Sequence, residues 1–238
     1  MDKQRLVQTA QALVAEKKGI LAADESGGTI KRRFDSINVE STEKSRRDYR
    51  EMLFRTAGVS DFISGVILFD ETIRQEAADG TPIVKVLTDQ GIIPGIKVDK
   101  GTISLPSTPY ELVTEGLDSL RDRLTEYVEL GAGFTKWRAV ISITNDTPTS
   151  YGIAANAHAL ARFAALSQEA GLVPIVEPEV LRDGDHSIER CFEVTEDTLR
   201  EVFDQLAQQK VLLEGMLLKP SMVISGGSSS QRADPDEV

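Results

Sequence analysis

The chain has 238 residues, 40% of them hydrophobic and 27% charged, with 27 basic against 38 acidic side chains and a formal charge of −11. Such a balance supplies a real core, but no apolar run approaches the ~20 residues a membrane span requires, and an anionic body suits neither a membrane nor a nucleic acid partner. A lone cysteine, Cys191, rules out an internal disulfide framework and lends no support to a thiolate metal site.

A helical pattern near Gln4 to Glu16 comes first, followed by Lys17-Lys18. A signal peptide would show a basic start, an apolar stretch and a small-residue cleavage site, so a soluble, cytoplasmic protein is expected instead. Six short apolar runs follow: Gly19 to Ala23, Phe62 to Phe69, Ile92 to Val98, Phe134 to Ile143, Leu172 to Val176 and Val211 to Leu218. Continuous Val/Ile/Leu runs without alternation are the mark of buried parallel strands covered on both faces. Between them lie helical stripes. Leu117, Leu120, Leu124 and Val128 form one, closed by Gly131, and an alanine-rich segment from Ser150 to Ala170 is closed by Gly171. A third is expected to start at Thr195 as N-cap, with Glu196 and Asp197 in its first turn and Leu199, Val202, Phe203 and Leu206 on its apolar face.

Strand and helix in alternation lead to right-handed crossovers and a parallel sheet, either open and doubly wound or closed as a barrel. Gly27-Gly28 alone is a weak phosphate loop, and no GxGxxG follows it. Where the charges sit favours the barrel. The first run leads into Asp24-Glu25-Ser26, the second into Asp70-Glu71, and the third into Lys97, Asp99 and Lys100. The fourth contains Lys136 and Arg138, the fifth leads to Glu177 and Glu179, and the sixth to Lys219. Strand residues two apart share a face, so Lys136 with Arg138, and Glu177 with Glu179, project as pairs from what should be neighbouring strands.

An isolated charge at a strand end ordinarily marks the point where the chain meets water. Lys136 and Arg138 lie inside an apolar stretch, where an unpaired charge costs several kcal/mol, so each is expected to have a partner or a substrate anion. Pro178 lacks an N–H and suits the end of a strand, which places Glu177 and Glu179 at the mouth. Snorkelling is the ordinary reading of an isolated lysine such as Lys219. Enclosed by Leu217, Leu218 and Pro220, with cations nearby, it is also suited to the neutral amine that attacks a ketone to form a Schiff base.

Residues 1 to 50 hold 11 basic and 8 acidic groups, against the trend of the rest. Lys31-Arg32-Arg33 there is either a solvated helix face or a holder for a small phosphate. His158 falls in a helical pattern and His186 in a loop, with no HExxH spacing, so metal-assisted chemistry is not expected. Cys191 reads as an incidental thiol, and Ser228 to Ser230 as flexible loop without a triad pattern.

The segments GILAADES (19 to 26), SGVILFDET (64 to 72), PGIKVDKG (94 to 101), FTKWR (134 to 138), VPIVEPE (173 to 179) and LLEGMLLKPSMV (212 to 223) resemble, in order and over nearly the whole chain, the class I fructose-bisphosphate aldolases. The resemblance implies an α/β fold of the (β/α)8 TIM-barrel type, with about six of the eight strand–helix units present, and reversible cleavage of fructose 1,6-bisphosphate to dihydroxyacetone phosphate and glyceraldehyde 3-phosphate. It implies that Lys219 forms the imine with the ketose and needs no cofactor. Glu177 is implied as general acid and base with Glu179 beside it, Asp24 as the group at the C4 hydroxyl, and Lys136 and Arg138 as polarising and positioning cations. Lys97, Ser26, Thr29 and Arg33 resemble the holders of the phosphate distal to the ketone, with Thr29 replacing the family's usual serine.

A sugar phosphate is the implied partner, and a homo-oligomer, the family's homotetramer, the implied assembly. The family continues past the imine lysine through two further strand–helix units, whereas here the chain turns Gly-, Ser- and Asp-rich. Residues 1–238 are therefore expected to be a single barrel domain, incomplete at the C-terminus and part of a longer reading frame, with 224–238 as a polar tail. Another Schiff-base lyase or transaldolase and a non-catalytic sugar-phosphate-binding fragment stand as alternatives.

Overall fold

The computed structural model describes residues 2–108, 110–232, 234–236 and 238. In chain order the elements are α1 (Lys3–Leu13), β1 (Gly19–Ala23), α2 (Gly27–Asp35), α3 (Glu43–Phe54), α4 (Val59–Phe62), β2 (Ile63–Leu68), α5 (Asp70–Ile73), α6 (Ile83–Thr88) and β3 (Ile93–Lys97). An antiparallel pair follows, β4 (Thr102–Ser104) with β5 (Leu112–Thr114), then α7 (Leu120–Glu129), β6 (Phe134–Ile141), α8 (Ser150–Glu169), β7 (Val173–Val180) and α9 (Ile188–Gln208). A 3-10 turn, Leu213–Gly215, precedes the last strand, β8 (Leu217–Leu218).

Six strands form one parallel sheet in the order β1-β2-β3-β6-β7-β8, one strand from each apolar run of the sequence. Alternate residues divide between its two faces. Leu68, Ile96, Trp137 and Val176 pack outward against Leu160 and Phe163 of α8 and Val202 and Leu206 of α9. Ile67, Phe134, Val173 and Ile175 point the other way and close on Leu6, Ala10 and Leu13 of α1. Burying such a side chain contributes about 1.5–3 kcal/mol, so α1 works as an apolar plug at the N-terminal end of the inner face. Further along the same strands, the next inward positions are Lys136 and Glu177.

The sheet has to curl to bring these groups together. Lys136 Nζ lies 3.0 Å from the Asp24 carboxylate, although β1 and β6 are three strand steps apart, about 14 Å across a flat sheet at ~4.8 Å per step. That is further than a lysine side chain reaches. The six strands therefore trace the arc of a barrel, with the charged ends turned inward.

Several local expectations are corrected. The helix over Thr195 starts a full two turns earlier, at Ile188, because the Ser187 side chain accepts a hydrogen bond from Arg190 N at 3.2 Å and caps it there. Thr195 is a buried mid-helix residue, and Phe203, expected on the apolar face, is exposed. In α7 the inner position falls to Tyr127, whose hydroxyl donates to Asp70 at 2.8 Å, while Val128 is exposed and Leu117 precedes the helix. The fifth strand runs on through Val180, so Pro178 stands beyond the short stretch of β7 that β8 pairs with. The run Val211 to Leu218 is mostly not strand; only Leu217 and Leu218 join the sheet. Cys191 is buried in α9, and the Ser228 region is tied down by Gly227 N to Arg182 O at 2.7 Å and Ser228 N to Gly184 O at 2.9 Å.

Two glycines make the inner packing possible. A Cβ on Gly95 would stand 2.3 Å from the Phe134 ring, and one on Gly65 2.6 Å from Leu13 Cδ2. We expect Gly95→Ala to lower the unfolding free energy by about 1–3 kcal/mol through overpacking, with part of the loss recovered when Phe134→Leu is added. Urea unfolding of the two variants checks this; an unchanged midpoint for Gly95→Ala would falsify the packing account.

Candidate active site

Asp24 follows the last residue of β1, so the strand delivers its carboxylate to the inner mouth. In the β6–β7 register Lys136 stands opposite Ile175, Arg138 opposite Glu177 and Val140 opposite Glu179. The side chains then connect diagonally. Lys136 Nζ donates to Asp24 at 3.0 Å and lies 3.1 Å from Glu177 Oε2, while the other oxygen of Glu177 accepts from Lys219 Nζ. One step nearer solvent, Arg138 donates to Glu179. Asp24, Lys136, Glu177 and Lys219 thus form a continuous row of alternating charge.

The members differ in exposure. Asp24, Lys136 and Glu177 are buried, whereas the Lys219 side chain is 52% exposed. Burial by itself lowers the pKa of the Lys136 ammonium, but the charges of Asp24 and Glu177 and its hydrogen bonds to them outweigh burial and raise it above the ordinary lysine value. The expectation that Lys219 is desolvated among cations is not met: it follows the last residue of β8 and stands half in solvent beside a carboxylate. Lys219 N donates to Val176 O at 2.9 Å. The segment before it is held by buried Gln168 of α8, which donates to Leu212 O at 2.7 Å and Gly215 O at 3.1 Å and accepts from Leu212 N at 2.9 Å. One side chain replaces the missing strand ladder.

An open cavity of about 820 Å³ is lined by Asp24, Ser26, Thr29, Arg33, Lys97, Lys136, Arg138 and Glu177, among others. A second, of about 340 Å³, is lined by Glu177, Glu179 and Lys219. All ten residues singled out from the sequence therefore face one of two cavities, and Glu177 belongs to both. The larger lies in the size range of a small-molecule site.

The groups expected to hold a phosphate are not idle. Ser26 Oγ and Thr29 Oγ1 are 3.2 Å apart, Arg33 donates to Glu25, and Lys97 donates to Asp99. Lys31 pairs with Asp35 at 2.7 Å and Arg32 with Thr29 at 3.4 Å, so Arg33 alone of the basic triplet lines the cavity. Sequence reasoning passed over Glu25 and Asp99 as counter-ions, and Arg50 altogether. The Arg50 guanidinium is buried behind Glu25; the available signal is its place four residues before Phe54, the buried apolar residue of α3. Among the described residues no three His, Cys, Asp or Glu side chains are placed to hold a metal ion, and no helix is long and apolar enough to cross a membrane.

Comparisons with known proteins match this geometry to a family. The profile of the class I fructose-bisphosphate aldolases, glycolytic enzymes, matches residues 5–238. A probable class 1 fructose-bisphosphate aldolase of Xanthomonas campestris pv. campestris is 60% identical over 238 residues, covering 100% of this chain and 71% of that protein. The cytosolic fructose-bisphosphate aldolase 4 of Arabidopsis thaliana is 51% identical over 98% of this chain and 59% of its own length. A solved structure of the fructose-bisphosphate aldolase from Plasmodium falciparum superimposes with a TM-score of 0.97 at 50% identity, over 98% of this chain and 68% of that one. The arc of six parallel strands is therefore that of the aldolase β/α barrel, and the chain belongs to the class I fructose-bisphosphate aldolases, aldehyde-lyases that work through a Schiff-base lysine and no metal cofactor.

Proposed function

We propose that Lys219 is the residue that forms the imine with the ketone carbon of fructose 1,6-bisphosphate, and that the row Asp24–Lys136–Glu177–Lys219 carries the proton transfers. The observation behind this reading is that Glu177 touches both lysines, one buried and one half exposed. Attack of the Lys219 amine on C2 gives a carbinolamine. Glu177, within contact of the amine, hands a proton to the departing hydroxyl, and water leaves as the iminium forms. Asp24 then accepts the proton of the C4 hydroxyl. The C3–C4 bond breaks, its electron pair moves into the iminium to give an enamine, and glyceraldehyde 3-phosphate departs. Protonation of the enamine and hydrolysis of the imine release dihydroxyacetone phosphate.

In this reading Lys136, held charged between two carboxylates, keeps Asp24 and Glu177 in their places, and Arg138 with Glu179 guards the outer edge. Ser26, Thr29, Arg33 and Lys97 take the phosphate distal to the ketone, each exchanging its present protein partner for a phosphate oxygen. Residues 1–238 belong to one β/α-barrel domain, six of whose strands lie in this chain, with 224–238 as a polar tail, in a cytoplasmic homo-oligomer, the homotetramer of the family; light scattering on the purified protein reads the assembly directly.

Borohydride reduction in the presence of dihydroxyacetone phosphate tests the nucleophile. A secondary-amine adduct is expected on the peptide containing Lys219 and is absent from Lys219→Arg. Adduct formation in Glu177→Gln slows by about 10²–10⁴-fold. An adduct on another lysine, or none, removes Lys219 from the role.

Lys136 is tested by pH. Lys136→Met leaves two buried carboxylates one cation short and lowers the unfolding free energy by about 3–5 kcal/mol. Because the pKa of Lys136 is raised in the folded state above its ordinary 10.5, its contribution is fully present below that pH, shrinks as the pH rises above it and is lost once the pH passes the folded value. Urea titrations of both proteins should show a constant gap from neutral pH to about 10 and a narrowing one above it. A gap that already closes near neutrality contradicts the assignment.

A further inference from the structure

One fully buried cation at the mouth takes part in none of these steps. Arg50 donates from one terminal nitrogen to the backbone carbonyl of Glu25 at 2.7 Å and from the other to Thr72 Oγ1 at 2.6 Å, and its side chain is 0% exposed. Two carboxylates flank it, Glu25 at 4.0 Å and Glu71 at 3.7 Å. Glu71 is already held by both arms of Arg46, at 2.5 and 2.9 Å. Glu25 is not held in this way. Its Oε1 accepts from Arg33, while its Oε2 is buried without a hydrogen-bond partner and faces Arg50. Glu25 therefore sits between a guanidinium that is locked in place and one, Arg33, that is 58% exposed on the cavity wall.

A phosphate arriving at that wall competes with Glu25 for Arg33. If Arg33 leaves, a carboxylate that is only 8% exposed loses its hydrogen-bonded partner, a costly state unless another positive charge stays close. Arg50 is that charge. It remains ionised despite burial, because a guanidinium does not give up its proton in a protein, and Thr72 and the Glu25 carbonyl prevent it from following Arg33 outward.

We propose that Arg50 is a positioning residue for the aldolase reaction: fixed in place by the Glu25 carbonyl and Thr72, it balances the Glu25 carboxylate and so releases Arg33 to bind the substrate's distal phosphate. The proposal rests on the assignment of Arg33 to that phosphate. Arg50 does not line the cavity, so its effect passes entirely through Glu25.

The test is a double-mutant cycle on the full chain, with inorganic phosphate as the probe in calorimetric titrations and fructose 1,6-bisphosphate in kinetic ones. Arg50→Met leaves Arg33 as the sole counter-ion of Glu25, so the Kd for phosphate and the KM should rise about tenfold with kcat within about twofold, and Arg50→Lys should recover part of the loss. Glu25→Gln removes the competitor and should tighten phosphate about threefold. Adding Arg50→Met to Glu25→Gln should then change the Kd by less than about twofold. If Arg50→Met is as damaging in the Glu25→Gln background as in the wild type, its role is merely structural and the proposal fails. Should Arg50→Met not fold, Glu25→Gln alone decides, since weaker phosphate binding in that variant also overturns it. Arg33→Ala with unchanged phosphate affinity sinks the assignment of Arg33 and this proposal together, whereas weaker binding in Arg33→Ala beside an additive cycle sinks this proposal alone.

Discussion

An ammonium held between two carboxylates, Lys136 between Asp24 and Glu177, joins the neighbouring strands β6 and β7 to the end of β1, three and four steps away in the order of the sheet. At an effective dielectric of about 20, each contact near 3 Å is worth about 5 kcal/mol of attraction. Desolvating three charged groups consumes several kcal/mol apiece, so the net gain in stability is small. What the arrangement supplies is position. It can form only if the sheet curls, and the sheet can curl only if the inner face below it is filled without strain. Gly65 and Gly95 leave room for Phe134 and Leu13, and α1 closes the floor with Leu6 and Ala10. The apolar end of the barrel thus sets the distance across its polar end.

The same logic explains why Glu177 faces two different lysines. On its buried side the partner is fixed and kept charged. On its outer side Lys219 extends from a two-residue strand whose approach is fastened by the amide of Gln168. A rigid carboxylate beside a reachable amine suits chemistry in which the amine must bond to a substrate carbon and yet stay within reach of an acid. Had Lys219 been enclosed like Lys136, its partner would be equally well defined, but in the proposed imine chemistry the ketone would have no approach.

The strands, and the pairing of Lys136 with Arg138 and of Glu177 with Glu179, were legible because they depend on a period of two within a few residues. Features that depend on distant partners were not. Ser187 and Thr195 are both good caps, and only the bond from Arg190 N shows which one starts α9. The backbone groups of Leu212 and Gly215, which the apolar run suggests as strand, are satisfied instead by the amide of Gln168, 44 residues away from Leu212. Arg50 reads as one more charge on a helix with a run of basic residues, until α3 is seen to lay it behind Glu25. Lys219 reads as enclosed because its sequence neighbours are apolar, although those side chains belong to the sheet and leave the lysine at its edge.

The net charge of −11 is at odds with a substrate that carries two phosphates until the counter-ions are taken one by one. Arg33 with Glu25, Lys97 with Asp99 and Arg138 with Glu179 are each a cation at the cavity paired with a carboxylate beside it or one strand away. Such pairs are nearly neutral at a distance, so the long-range field of the protein remains anionic, while at close range each can turn its donor to a phosphate oxygen. Exchanging a carboxylate for a phosphate keeps the donor's hydrogen bonds and changes only which anion receives them. The affinity that results is the difference between two similar interactions, and is governed by how well the displaced carboxylate is accommodated. Asp99 retains the amides of Gly101 and Arg138 as partners, and Glu25 has Arg50 behind it. On the proposed assignment, the groups behind these carboxylates therefore set how readily the cations can turn to the substrate.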